Sequence, residues 1–108
     1  MTYYHASPAR LADGELVSIG FPANFADEPM EHVFFSDNMT AAEYWADFLG
    51  NEEFAEILGY WRDVYIYAVE PLGSYEPDPE NDYMGVEGCY QTASPLRVIS
   101  LKATQKGQ

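Results

Sequence analysis

The spacing of hydrophobic and polar positions in this chain changes several times, and each change predicts an element. Residues 2–5 alternate weakly and read as a short strand. After a turn at Asp13-Gly14, "ELVSIG" (15–20) reads as a second strand ended by Gly20. The stretch "FPANFADEPMEH" holds Pro22, Asn24 and Pro29 and reads as a loop. "HVFFS" (32–36) is β-branched and aromatic, the composition of a buried strand.

The period then becomes helical. Thr40 and Glu43 in "TAAE" have capping-box spacing, so hydroxyl and carboxylate can satisfy first-turn amides reciprocally. Ala41, Tyr44, Trp45 and Phe48 follow at i, i+3, i+4 and i+7. Gly50-Asn51 interrupts, with Asn51 placed to cap a second helix on which Phe54, Ile57, Leu58 and Trp61 repeat the spacing. Both stripes are expected to face the core.

"DVYIYAVEP" returns to period two and stops at Pro71. "LGSYEPDPENDYMGVEG" is long, acidic and rich in Pro and Gly, which predicts a surface loop of the kind that often carries function. "LRVISL" (96–101) reads as a last strand and "KATQKGQ" as a polar tail. Strands flank a mid-chain helical segment, so the expected class is α+β with antiparallel sheet, in one domain spanning residues 1–108.

Composition narrows the partners. Hydrophobic residues make up 47% of the chain and aromatics 16%, too many for disorder. Eighteen Asp and Glu against five Lys and Arg give a formal charge of −13. Such a surface repels nucleic-acid phosphates and anionic membranes, so neither is an expected partner. It promotes solubility, and it would also suit a protein that offers carboxylates to a basic partner. The single cysteine, Cys89, cannot form an internal disulfide. With no basic region leading into an apolar run at the N-terminus, the expectation is a soluble cytoplasmic protein.

Familiar sites are missing. There is no G-x-G-x-x-G after a strand, no phosphate-binding loop ending in Gly-Lys-Ser/Thr and no nucleophile elbow. One Cys and two His do not make a thiolate–imidazole zinc site. Glu52-Glu53, and Glu80 with Asp82, lack the spacing of a calcium loop and read as solvated acidic faces, so no metal is expected. What remains is an ordered series: His5 behind two tyrosines, the strand "HVFFS", and "EPDPEN" after the strand that ends near Glu70.

In that order the chain resembles the rifampin ADP-ribosyltransferases, small enzymes of the His-Tyr-Asp branch of NAD-dependent ADP-ribosyltransferases. The likeness runs from about Tyr4 to Ile99. "YYHAS" is similar to the family's Tyr/Leu-His-Gly-Thr segment. "DGELVSIGFPANF" keeps the spacing of its glycine, asparagine and aromatic at Gly20, Asn24 and Phe25. "HVFFSDNMTAAEYWA" resembles its strand-to-helix passage, and "CYQTASPLRVIS" its closing segment. The most specific block is Val69-Glu70-Pro71, then Gly73 and Asp78-Pro79. The resemblance implies a small ADP-ribosyltransferase-like split antiparallel sheet, with NAD as ADP-ribose donor and a small-molecule or protein acceptor.

Carried over position by position, the resemblance makes His5, Phe34 and Asp78 the catalytic residues. His5 would bind the ribose hydroxyls, Phe34 would stack on the nicotinamide side and Asp78 would steer the acceptor. The remaining NAD-binding positions it implies are Ala6, Ser7, Gly20, Asn24, Ser36 and Tyr90. Four departures stand out: Phe34 replaces the family's tyrosine, Ala6 its glycine, and Gln91 and Ala93 two arginines. "LGNEEFAEILGYWRD" is longer than the family's Gly-rich connection between helix and strand. These losses leave a second expectation, an inactive relative that binds a basic partner.

Overall fold

The computed structural model describes residues 1–18, 32–79 and 87–107. Its elements are β1 (Tyr3–Ser7), β2 (Leu16–Val17), β3 (Val33–Ser36), α1 (Met39–Leu49), α2 (Glu52–Leu58), β4 (Val64–Pro71), β5 (Glu76–Pro77), β6 (Cys89–Thr92) and β7 (Leu96–Gln105). The strands form one sheet in the order β2-β7-β4-β1-β3-β6-β5, antiparallel at every pairing. The class is mixed α+β, with both helices in mid-chain as the pattern predicts. Among the described residues no helix is long and apolar enough to cross a membrane.

Pairing is uneven across the sheet. β4 pairs β7 along its whole length, with register shifts at Ile66/Tyr67 and Ala68/Val69, and pairs β1 from Tyr3↔Val69 to Ser7↔Tyr65. β3 pairs β6 from Val33↔Thr92 to Ser36↔Cys89. Between these blocks, β1 and β3 share one paired position, Tyr4↔Ser36. Beyond it the imidazole of His5 takes over from the ladder, with Nδ1 2.6 Å from the Phe34 carbonyl oxygen. A carbonyl can only accept, so Nδ1 carries the proton.

Alternation sends side chains to two cores. One face gathers Val33, Phe35, Tyr67, Val69, Leu96 and Val98. The Tyr67 hydroxyl is buried there but satisfied, donating to the Ala9 carbonyl at 2.9 Å and accepting from the Leu11 amide at 2.7 Å. The opposite face packs Val64, Ile66, Tyr4 and Ala6 beneath Ala42 and Ala46 of α1. Small residues at those two helix positions let α1 lie close on β1 and β4. Replacing the fully buried Leu96 by Ala would cost about 2–5 kcal/mol.

Several expectations need correction. The second strand is two residues long, not 15–20, and the last runs to Gln105 through most of the expected polar tail. The long acidic loop contributes the short strand β5. The aromatic helix stripes are not the core: Tyr44 and Phe48 are each 37% exposed, Ile57 64% and Trp61 39%, and only Phe54 of the rings is buried. Tyr44, Trp45, Phe48 and Phe54 instead stack edge-to-face along the flank of the helices, with centroids 5.1–6.1 Å apart. Side-chain caps start both helices, but Thr40 is not the first: Asn38 accepts from the Ala41 amide at 2.8 Å and supplants the expected Thr40–Glu43 box. Asn51 does cap α2, accepting from the Phe54 amide at 3.0 Å.

A clasp joins the end of β3 to the start of β6. The Asp37 amide donates to the Gly88 carbonyl at 2.9 Å and the Asn38 side chain to the Glu87 carbonyl at 3.1 Å. Gly88 has φ 79°, and a Cβ there would overlap the Asp37 carboxylate, so glycine is required twice over.

Two outcomes are expected. Asn38→Ala should lower stability in denaturant by about 1 kcal/mol, while Thr40→Ala should cost clearly less. His5 is held below the ordinary histidine pKa by burial, partly offset by its bond to the Phe34 carbonyl. Its neutral form is therefore the folded form. The stability it contributes is complete above the unfolded value of about 6.5 and is lost as pH falls from there through the lower folded value. Thermal melts between about pH 7 and about pH 5 should show a drop that His5→Gln makes shallower.

Candidate active site

Register fixes which of the predicted residues meet. Residues opposite one another in an antiparallel pair point to the same face. Ser36 is opposite Cys89, and Phe34 opposite Gln91. Gln91 is opposite Glu76 on β5, and one residue past Pro77 the Asp78 amide donates to the Cys89 carbonyl at 3.0 Å. Two rows result on one face: Ser36–Cys89–Asp78, and beside it Phe34–Gln91–Glu76. Neighbouring strands lie about 4.8 Å apart, so Ser36 and Asp78 are separated by about 10 Å of backbone.

The two rows differ in access. Ser36 is 1% exposed, Cys89 6% and Asp78 3%, while Phe34 and Gln91 are partly exposed and Glu76 is exposed. Ser36 is tied to its own turn, its hydroxyl donating to the Asn38 carbonyl at 2.9 Å. Gln91 donates to Glu76 at 2.7 Å. Burial pushes the Cys89 thiol above its usual pKa; Asp78 and Asp37 raise it further, while the neighbouring Trp45 indole lowers it. A neutral thiol therefore separates Ser36 from Asp78. Prolines 77 and 79 restrict the backbone on both sides of Asp78, which fixes where it can sit.

His5 pairs with Tyr67 and so belongs by register to the opposite face; it reaches the Phe34 strand through the backbone carbonyl and not through the two rows. Because Nδ1 carries the proton, Nε2 has a lone pair and can accept a hydrogen bond from a hydroxyl. The other predicted residues lie elsewhere. Ala6 packs its methyl under α1, and the Ser7 hydroxyl accepts from the Ala9 amide at 3.1 Å in a local turn. Tyr90 points to the opposite face, among Tyr3, Phe35 and Tyr75, with its hydroxyl donating to Asp37 at 3.0 Å. Gly20 and Asn24, with Phe25, lie outside the described residues. Among the described residues no three His, Cys, Asp or Glu side chains gather as a metal site would require.

The sequence names Gln91 only as a lost arginine and does not single out Glu76. The signal was present, since Glu76 is two residues before Asp78 and period two puts both on one face.

The arrangement gives a hydrogen-bond acceptor on His5, a ring at Phe34 and two carboxylates, Glu76 and Asp78. Such groups can hold a hydroxylated ring and stabilise positive charge that develops on it. Comparison with known proteins agrees in direction. No individual curated protein matches the chain. The model of the family described as rifampin ADP-ribosyl transferase matches residues 3–103, which takes in β1, β3, β5 and β6 and every residue of both rows. The chain belongs to the rifampin ADP-ribosyl transferase family.

Proposed function

We propose that this protein transfers ADP-ribose from NAD to a hydroxyl of a small-molecule acceptor, rifamycin-like or otherwise, and releases nicotinamide. The observation that carries this reading is the gathering of Phe34, Glu76 and Asp78 on one sheet face, with His5 bonded to the backbone carbonyl of Phe34. The split antiparallel sheet of such transferases is consistent with the one paired position between β1 and β3.

In this reaction the bond between the ribose anomeric carbon and the nicotinamide nitrogen breaks, and its electron pair leaves with neutral nicotinamide. The oxocarbenium-like centre is captured by the acceptor oxygen, whose proton passes to a carboxylate or to water. His5 Nε2 accepts from a ribose hydroxyl, and the Phe34 ring stacks on the nicotinamide side. Asp78, with Glu76 beside it, stabilises the developing positive charge and orients the acceptor. Asp78 is 3% exposed, so an acceptor reaches it only where substrate displaces its present neighbours.

A second reading rests on the same positions. Phe34 has no hydroxyl, and Gln91, at one of the family's arginine positions, is engaged by Glu76. A protein that kept the fold without the activity would bind a basic partner through its acidic surface.

Incubation with NAD labelled in its adenine half separates the two. The transferase reading expects nicotinamide release that rises with a hydroxyl acceptor and falls at least about a hundredfold in Asp78→Asn. Phe34→Tyr should restore one hydrogen bond, worth about 1 kcal/mol, and so tighten NAD binding about fivefold. If wild type and Phe34→Tyr neither bind nor consume NAD, the inactive reading replaces it.

A further inference from the structure

The segment joining α2 to β4 borders a cleft that the candidate active site does not use. Its volume is about 510 Å³. The rings of Tyr60, Trp61 and Tyr65 wall it, Pro8 closes one side, and Arg62 and Asp63 lie between. Tyr60 is 61% and Trp61 39% exposed, large apolar area for a chain of this charge to leave uncovered.

The electrostatics of this corner run against the rest of the molecule. Arg62 is only 8% exposed. Its Nε donates to the Leu49 carbonyl at 2.7 Å and its guanidinium lies 5.2 Å from the Phe54 ring centre, while Nη2 is buried without a hydrogen bond. Among the described residues no carboxylate pairs with it. Asp63 is already engaged, accepting from the Gly107 amide at 2.8 Å with Lys106 Nζ 3.7 Å away. Arg10 lies over the Tyr65 ring at 5.8 Å. Thus Arg62 lines the cleft, and Arg10 and Lys106 contact two of its lining residues, Tyr65 and Asp63, in a chain with five basic residues against eighteen acidic ones. On the far side of Trp61, Glu52 and Glu56 line a smaller hollow, which directs an anion toward the Arg62 side.

We infer that this cleft is a second binding site, for a planar aromatic molecule that carries an anionic group. The aromatic walls take the ring by stacking, and Arg62, a lining residue with no carboxylate paired to it among the described residues, supplies positive charge through the low-dielectric wall without direct contact. Two sources share that chemistry: the nucleotide half of the donor, and an acceptor such as a phenolic acid. Either role in transfer rests on the proposed function, because Pro8 directly follows β1, the strand that carries His5. Binding itself does not.

Titration calorimetry and tryptophan fluorescence with ADP and with 4-hydroxybenzoate test it, using adenosine and phenol as uncharged counterparts. The expected result is saturable binding of at least one anion, at least about tenfold tighter than its counterpart and weakened by salt. Tyr60→Ala and Arg10→Gln alter exposed side chains and should leave the fold intact. Tyr60→Ala should weaken binding about tenfold or more, and Arg10→Gln less. Arg62→Gln should abolish the preference for the anion, provided its thermal melt stays cooperative. Binding of ADP alone assigns the cleft to the donor, and of 4-hydroxybenzoate alone to an acceptor. No binding of either anion, or binding that Tyr60→Ala and Arg10→Gln leave unchanged, overturns the inference. Repeating the titration in Asp78→Asn, where binding should persist, separates failure of the cleft from failure of transfer.

Discussion

The bond from His5 Nδ1 to the Phe34 carbonyl sits next to the one paired position of β1 and β3, and it ties the strand carrying His5 to the strand carrying Phe34. Where two strands diverge, each exposes backbone groups that need partners. If β1 and β3 continued to pair, those groups would be satisfied by one another and no gap would exist. A side chain that reaches across satisfies the carbonyl and holds the strands apart at the same time. Imidazole suits the task because one nitrogen is consumed by the backbone and the other is left over. Burial keeps the ring neutral, so the leftover nitrogen is an acceptor and not a second donor. One interaction therefore sets both the tautomer and the hydrogen-bonding polarity of the ring.

β3, β5 and β6 are tied together by separate hydrogen bonds at their two ends. The clasp between residues 37–38 and 87–88 fixes how β3 meets β6. At the other end, Thr92 donates to the Ser74 carbonyl at 2.8 Å and accepts from the Ser94 amide at 3.1 Å, binding the turn before β5 to the end of β6. Gly73 fits there because a Cβ would overlap the Ser94 side chain. Asp78 thus hangs from a strand anchored at both corners and bracketed by prolines. Positions of this kind keep their geometry without a ligand, as electrostatic stabilisation of a developing charge requires.

The parts that were legible in the sequence are local. Asn51 could be read as a cap because its partner amide is three residues away, and β4 because alternation persists over eight residues. The aromatic stripe of α1 misled for a physical reason. Periodicity reports that a face is apolar, not what covers it, and here alanines face the sheet while the rings cover one another. The extension of β7 was hidden because Lys102 and Thr104 look like tail residues, yet β4 gives that backbone a partner. The resemblance named His5, Phe34 and Asp78, but not the contact between His5 and residue 34 or the row that links Ser36 to Asp78. Both come from pairing between strands far apart in sequence.

Charge sharpens the picture of what the site can hold. A diphosphate approaching a chain of net charge −13 meets long-range repulsion, which salt weakens but close approach restores. At Gln91 the side chain beside Phe34 offers a neutral amide, and that amide is already given to Glu76. Arg97 is nearest in sequence but spends its charge on Glu70, an exposed pair of little energetic weight. Beside α2, Arg62 is the one basic residue of a segment (49–63) that also carries Glu52, Glu53, Glu56 and Asp63. An anion seated in the cleft beside Trp61 meets Arg62 without approaching the Asp78 face, whereas one bound at that face must overcome its repulsion.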